Sequence, residues 1–257
     1  MFMSLSAVIG KTEAEICDCL ATYAMNNSGV FHQEEFKKDV LDACAISVTN
    51  GNAVIGWPND FYDWDGCSEF ISAQLKATVF SCHIHDGDLW MYVMYNNGKV
   101  VDQFNPIPDY WDDSLSAHEL EEWAGNAATI ASYVPGISTG DIDKYLVRWN
   151  LDELSEPAYE GDGTVQEDWQ LFDFLRKLGV IVVLNEDGIV AGSTYRFRVK
   201  EKRVAEVPPQ PSANPAPTPI APVVQAAPVE PGRPTPVAAA PQERPVAPSE
   251  KPWWKIW

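Results

Sequence analysis

The chain has 257 residues, of which 46% are hydrophobic, and a formal net charge of −19 at pH 7. That charge disfavours nucleic acid as a partner, because binding to phosphate backbones depends on Lys and Arg; it favours a basic protein surface instead. No apolar run approaches the roughly 18 residues of a membrane-spanning helix, and the start of the chain lacks the pattern of a signal peptide. The five cysteines are odd in number and form no C-x-x-C pair, which favours reduced thiols and a cytoplasmic protein.

Composition divides the chain into three parts. Fifteen of the 20 prolines lie between Pro208 and Pro252, in a stretch without apolar periodicity. We therefore predict an acidic globular domain over residues 1–206, a disordered Pro/Ala-rich linker over 207–250 and a Trp-rich terminal motif over 251–257. From Val207 onward, basic residues exceed acidic ones by one, so the acidic character belongs to the domain.

The first predicted element is a helix. Thr12 and Glu15 fit a capping box, and apolar residues at helical spacing follow, which predicts a helix over about 13–25. The next segment, Phe31 to Cys44, is ambiguous, although its apolar spacing suits a helix.

Tight-turn sequences separate the predicted strands. Asn50-Gly51, Asp86-Gly87 and Asn97-Gly98 are turn pairs typical of hairpins. Strands are predicted over residues 45–48, 53–57, 79–84, 89–95 and 99–104, with two later strands over 180–184 and 195–199. The short links between the first five predict one antiparallel sheet.

Helical patterns occur between and after these strands. Ser116 and Glu119 fit a second capping box, followed by a stripe that contains Leu120, Trp123, Ala127 and Ile130. Helices are predicted over about 67–75, from Ser116 through this stripe, over 142–149 and over 169–178. Strands followed by helices indicate the α+β class, with an antiparallel sheet of about five or more strands and packed helices.

The segment from His83 to Asp88 has the sharpest pattern of chemically active residues. His83 and His85 are two apart in a predicted strand, which places both rings on one face, and Asp86 and Asp88 occupy the adjoining turn. These four residues suit a metal site. An ordinary hairpin with the histidines on a half-polar face is favoured over a metal site, because no H-E-x-x-H motif or second histidine cluster is present. The short Gly161-Asp162-Gly163 sequence is insufficient for a phosphate-binding loop.

Aromatic and acidic residues are also dense after the last strand of the meander. Phe104, Asp109, Tyr110 and Trp111 lie in a loop with two prolines. Such a loop either closes one end of the core or recognises a basic partner, because aromatic anchors dominate interface energies.

A resemblance rests on two blocks of residues, His85 to Tyr92 and Val101 to Trp111, with Gly98 between them. Over about residues 57–111 the chain resembles uncharacterised bacterial immunity-type proteins of the SUKH kind. That resemblance implies an acidic cytosolic α+β domain that neutralises a toxin by binding it. It implies no catalytic residues. No cofactor is expected from the sequence.

The last seven residues combine three tryptophans with an isoleucine and two lysines. Exposed aromatic surface is costly in water, at about 25 cal/mol per Å² of apolar area, so this tip is expected to bind something. A groove on a second protein partner is favoured; a membrane interface and the chain's own domain are alternatives. The residues concerned are Lys251, Trp253, Trp254, Lys255, Ile256 and Trp257.

Together these patterns predict a non-catalytic bacterial interaction protein, of immunity or adaptor type. Its acidic domain is expected to bind a basic protein while its tail docks to a second partner. The alternatives are a metal-dependent hydrolase that uses His83, His85, Asp86 and Asp88, and a peripheral membrane protein held by the tail.

Overall fold

The computed structural model describes residues 2–35, 43–150 and 156–200, all of which belong to one unit, Met1–Ala205. The predictions for the linker, for the Trp-rich terminus and for most of the ambiguous segment after Gln33 fall outside the described residues.

The described residues form eight strands in one sheet. In chain order they are β1 Met3–Val8, β2 Val30–Gln33, β3 Ala43–Thr49, β4 Asn52–Gly56, β5 Thr78–His85, β6 Leu89–Asn96, β7 Lys99–Phe104 and β8 Ser193–Arg198. Their order across the sheet is β2-β8-β3-β4-β1-β5-β6-β7, and every neighbouring pair is antiparallel. The predicted α+β class with an antiparallel sheet is confirmed.

Five α-helices accompany the sheet in the described part of the chain. They are α1 Glu13–Asn26, α2 Trp64–Leu75, α3 Ala117–Glu121, α4 Ala127–Tyr133 and α5 Gln170–Lys177. Both predicted capping boxes are present, at Thr12 before α1 and at Ser116 before α3. Helix α2 begins at Trp64, three residues before the predicted start, and this places Trp64 in its first turn.

The sheet is covered on both faces. One core packs Ile16 and Leu20 of α1 and Ile71 of α2 against the sheet. The other core packs Phe174 of α5 and Ile130 of α4 against the opposite face. Because both faces are buried, β5 and β6 are buried along nearly their whole length, and β6 reads as a nearly continuous apolar run.

Strand β1 was not predicted, although it lies in the interior of the sheet between β4 and β5. Four of its six residues are apolar, but two serines, Ser4 and Ser6, interrupt them. Ser6 is fully buried, and its hydroxyl oxygen accepts a hydrogen bond from Trp57 Nε1 at 2.8 Å and lies 2.7 Å from Ser68 Oγ. Trp57 and Ser68 thus satisfy the buried hydroxyl of Ser6. A serine in a strand is ordinarily read as a surface residue, and its partners are visible only in the tertiary structure.

Three helix and strand predictions were wrong. The stripe after Ser116 is not one helix, because α3 ends at Glu121 and Gly125, with φ +70°, separates it from α4. Residues 142–149 contain a short 3₁₀ turn, Asp143–Tyr145, instead of an α-helix. Residues 180–184 form no strand and contribute a single bridge, Leu184 to Val190. Cys44, the end of the ambiguous segment, lies in β3.

Candidate functional site

The β5–β6 hairpin positions the two histidines. Asp86 and Gly87 both have positive φ, at 50° and 84°, and Asp88 N donates a hydrogen bond to His85 O at 2.8 Å. This tight turn ends β5 at His85. The rings of His83 and His85 lie on one side of the strand, with their centroids 5.8 Å apart, as the strand spacing predicts.

His83 is held by its neighbours. Its ring stacks on Trp64 of α2, with centroids 5.0 Å apart and an interplanar angle of 13°. Its Nδ1 lies 3.0 Å from Ser4 Oγ of β1 in a hydrogen bond. Burial, with a smaller contribution from His85, lowers the pKa of His83 to about 4. His83 is therefore a neutral, hydrogen-bonded side chain at pH 7 and joins β1, β5 and α2.

His85 has a different environment, made mostly of aromatic rings. Its centroid lies 4.9 Å from that of Phe2 and 4.7 Å from that of Trp111, and both rings meet it edge to face. Tyr110 lies 5.9 Å away. Phe2 precedes β1 and Trp111 follows β7, so three distant segments of the sequence meet at His85.

The carboxylates of the hairpin turn lie beside these rings. Tyr110 donates a short hydrogen bond from its hydroxyl to Asp88 Oδ2, and this bond raises the pKa of Tyr110. Asp86 and Asp88 are both exposed. We call the surface formed by Phe2, His85, Asp86, Asp88, Tyr110 and Trp111 the His85 patch.

The structure separates the four predicted residues of the aromatic loop. Tyr110 and Trp111 join the His85 patch. Asp109 is exposed and forms an ion pair with Arg148, with Asp109 Oδ1 and Arg148 Nη2 3.0 Å apart. Phe104 is buried and packs against Trp90, with centroids 4.9 Å apart. Phe104 is therefore a core residue, and assigning it to a partner-binding surface was wrong.

The predicted metal candidates do not form a metal cluster. In the ranges that the structure describes, no group of three or more His, Cys, Asp or Glu side chains is placed to hold a metal ion. His83 is bonded to Ser4 and stacked on Trp64, while the Asp88 carboxylate accepts the Tyr110 hydroxyl. The geometry favours the structural interpretation of this hairpin.

A second polar cluster holds the loop that contains Gly163. Asp173 Oδ2 accepts hydrogen bonds from Gly163 N and Thr164 N, each at 3.0 Å. Arg176 Nη2 bridges Asp173 Oδ1 at 2.6 Å and Asp162 Oδ1 at 3.2 Å. Backbone donors that would otherwise suit an anion are thus used by the chain's own carboxylate, and the cluster fixes this loop against α5.

Sequence reasoning missed Phe2 and Trp64 as parts of the site. Phe2 reaches His85 because β1 pairs with β5, with Met3 opposite Ile84, and no local pattern indicates that pairing. Trp64 stacks on His83 from the first turn of α2, a turn that the predicted helix over residues 67–75 does not include. An aromatic residue next to a strand or helix start is the only signal that the sequence offers for either.

Within the described ranges, no helix is long and apolar enough to cross a membrane. The chain matches no protein-family profile, no curated protein and no solved structure.

Proposed function

We propose that this chain is a non-catalytic interaction protein, of immunity or adaptor type, whose acidic domain binds a basic protein partner through the His85 patch. One observation carries the proposal: His85 brings Phe2, Tyr110 and Trp111 together at the surface beside two exposed aspartates.

The exposure of the rings supports a contact surface. Phe2 is 58% exposed and Tyr110 is 40% exposed. Tyrosine and tryptophan are enriched among the residues that dominate interface energies. Clustered aromatic side chains that remain exposed are typical of surfaces that become buried in a complex.

The charge of the protein supports a basic partner. The chain carries a net charge of −19, and the carboxylates of Asp86 and Asp88 lie within the patch itself. Complementary charge raises the association rate and disfavours acidic competitors. Aromatic anchors surrounded by carboxylates therefore suit a basic protein surface.

The terminal residues supply a second proposed contact, on sequence grounds alone. Trp253, Trp254 and Trp257 offer anchors, and Lys251 and Lys255 offer charge for a groove on another protein. A linker between two contacts raises the effective concentration of one partner near the other. This arrangement suits an adaptor.

The patch is tested by affinity capture from the source cell, with proteins identified by mass spectrometry. Tyr110→Ala is compared with Tyr133→Ala, because Tyr133 has nearly the same exposure, 38% against 40%, and lies in α4. We expect basic proteins that the unchanged chain and the Tyr133 variant retain to be lost from the Tyr110 variant. Equal retention by all three chains would contradict the proposal.

The tail is tested in the same experiment with a chain that ends at Glu250. We expect the shortened chain to lose the proteins that bind the terminal motif. It should still capture the proteins whose retention depends on Tyr110. Retention of every protein by the shortened chain would show that the terminal motif recruits no partner.

A further inference from the structure

The chain contains two Asn-Gly sequences, Asn50-Gly51 and Asn97-Gly98. Each forms the turn of a hairpin, the first between β3 and β4 and the second between β6 and β7. The backbone is nearly the same at both, with φ of 55° and 77° in the first pair and 52° and 74° in the second. Local sequence and turn conformation therefore do not distinguish the two sites.

An asparagine that precedes a glycine can lose its side-chain amide without an enzyme. The glycine nitrogen gives up its proton to a base in the solvent and attacks the asparagine Cγ. The new N–Cγ bond closes a succinimide ring, and the amide group leaves as ammonia. Water then opens the ring at either carbonyl, which yields aspartate or isoaspartate. Glycine favours ring closure because it has no Cβ to obstruct the attack.

At the β6–β7 turn the attacking nitrogen is already bonded. Gly98 N donates a hydrogen bond to Ser72 Oγ at 3.1 Å, and Ser72 is fully buried in α2. The Ser72 hydroxyl itself donates to Ala77 O at 2.8 Å, so its oxygen is left to accept from Gly98. A Cβ added to Gly98 would lie 2.7 Å from Ala73 Cβ, which shows how closely α2 approaches this turn. Attack by Gly98 N must first break this hydrogen bond and move the turn away from α2.

The β3–β4 turn is open. Asn50 and Gly51 are exposed, and a Cβ added to Gly51 meets nothing within 4 Å. Within the described part of the chain, Gly51 N donates no hydrogen bond. The hairpin is fixed only from the next residue, where Asn52 Oδ1 accepts from Gly10 N at 2.9 Å and Asn52 Nδ2 donates to Gly179 O at 3.1 Å. Ring closure at Asn50 therefore breaks no hydrogen bond of the attacking nitrogen.

We propose that Asn50 is a site of spontaneous deamidation in the folded protein, and that Ser72 and helix α2 protect Asn97 from the same reaction. The product adds one negative charge to a chain whose net charge is already −19. Isoaspartate also lengthens the main chain of the β3–β4 turn by one carbon. This chemistry is independent of the proposed interaction with a basic partner.

The test incubates the full chain at mildly alkaline pH and follows both asparagines by peptide mass spectrometry. In the folded chain we expect Asn50 to react at least about 5-fold faster than Asn97, because the hydrogen bond and packing at Gly98 must open before attack. In guanidinium, where both turns are unfolded, the two asparagines should react at similar rates. The unfolded chain thus controls for any effect of the neighbouring sequence.

Variants show whether Ser72 provides the protection. Ser72→Ala removes the acceptor of Gly98 N and should raise the rate at Asn97 several-fold, while the rate at Asn50 stays unchanged. Ser68→Ala is the matched control, because Ser68 is also a fully buried serine of α2 but its hydroxyl bonds to β1. Asn50→Gln should remove the fast reaction, since glutamine closes the corresponding ring far more slowly. Circular dichroism checks that each variant is folded.

Equal rates at Asn50 and Asn97 in the folded, unchanged chain would overturn the proposal, and this comparison needs no variant to fold. A stable Asn50 in the folded chain, under conditions in which the unfolded chain reacts, would overturn it as well. An equal increase at Asn97 in the Ser72 and Ser68 variants would show that general loosening of α2 is responsible, and would exclude the protecting hydrogen bond.

Discussion

At the scale of single residues, His83 and His85 show how position decides the role of a side chain. Two residues apart on one strand face, they differ in their neighbours. His83 is enclosed by Ser4 and Trp64, whereas His85 lies among the rings of the surface patch. The first is a structural residue, and the second belongs to the proposed contact surface.

The pKa of His83 predicts a pH dependence of stability. Above pH 6.5 the ring is neutral in both states, so it has no effect there. As the pH falls from 6.5 towards 4, the unfolded chain binds a proton that the folded chain excludes, so the free energy of unfolding decreases. The full effect is on the order of 3 kcal/mol.

Guanidinium unfolding at about pH 7 and pH 5 checks this prediction. His83→Phe should lose less stability between the two values than the unchanged chain. His118→Gln should behave like the unchanged chain, because His118 is exposed. Equal losses in all three proteins would show that His83 takes up a proton in the folded state.

The cysteines give a second prediction at this scale. Cys44, Cys67 and Cys82 are fully buried, and burial raises the pKa of each thiol. Burial raises the pKa of Cys19 to about 11, and the thiol pKa of half-buried Cys17 is also raised. Because the thiolate is the reactive form, a thiol reagent at about pH 8 should label Cys17 slowly and the others hardly at all.

The control for this labelling is Cys17→Ser, which should reduce the reaction of the folded protein almost to zero. Denaturant should then expose the remaining thiols. Rapid labelling of two or more thiols in the folded chain would show that Cys19, Cys44, Cys67 and Cys82 are not all buried.

At the scale of elements, local signals succeeded where the chain makes its own hydrogen bonds. Thr12 and Ser116 form capping boxes with residues three positions later, so their partners are visible in the sequence. The helix predicted through Leu120 to Ile130 failed because Ala124 instead forms a bridge with Phe104. The bridge partner, Phe104, is 20 residues earlier in the sequence, so the apolar spacing from Leu120 to Ile130 gives no sign that the helix is interrupted.

Two similar hairpin turns provide a matched test of packing. Gly51 and Gly98 each follow an asparagine and have φ of +77° and +74°. An added Cβ at Gly51 meets nothing within 4 Å, whereas at Gly98 it lies 2.7 Å from Ala73 Cβ of α2. Gly98→Ala should therefore destabilise the fold by about 1 to 3 kcal/mol more than Gly51→Ala.

The free energy of unfolding of the two variants decides this prediction. Both carry the same cost of placing alanine at positive φ, so their difference isolates the contact with Ala73. Equal destabilisation would show that the β6–β7 turn moves away from α2 at no cost.

At the scale of the whole molecule, burial of both sheet faces and a strongly acidic surface act in opposite directions. The two cores stabilise the fold, while like charges repel one another in the compact state. With a net charge of −19, we expect the melting temperature to rise as NaCl increases from about 0.01 to 0.5 M, because salt screens the repulsion. A fall in melting temperature would show that salt weakens stabilising ion pairs, such as that of Arg148 with Asp109, more than it relieves the charge repulsion.

The sequence by itself determined the features that depend on near neighbours. The Asn-Gly and Asp-Gly turns identified the hairpins, the capping boxes identified two helix starts, and the acidic composition identified the character of the surface. Residues of the His85 patch were also recognised, but as two unrelated segments, one around His85 and one around Tyr110.

Only the tertiary structure decided how these segments combine. Strand β1 lies between β4 and β5, where it pairs with residues some 80 positions away in sequence, and helices on both faces of the sheet bury its side chains. The same pairing brings Phe2 to His85, and the return of the chain after β7 brings Trp111 to the same ring. Local propensity carries no information about such contacts, since their free energy appears only when the distant surfaces meet.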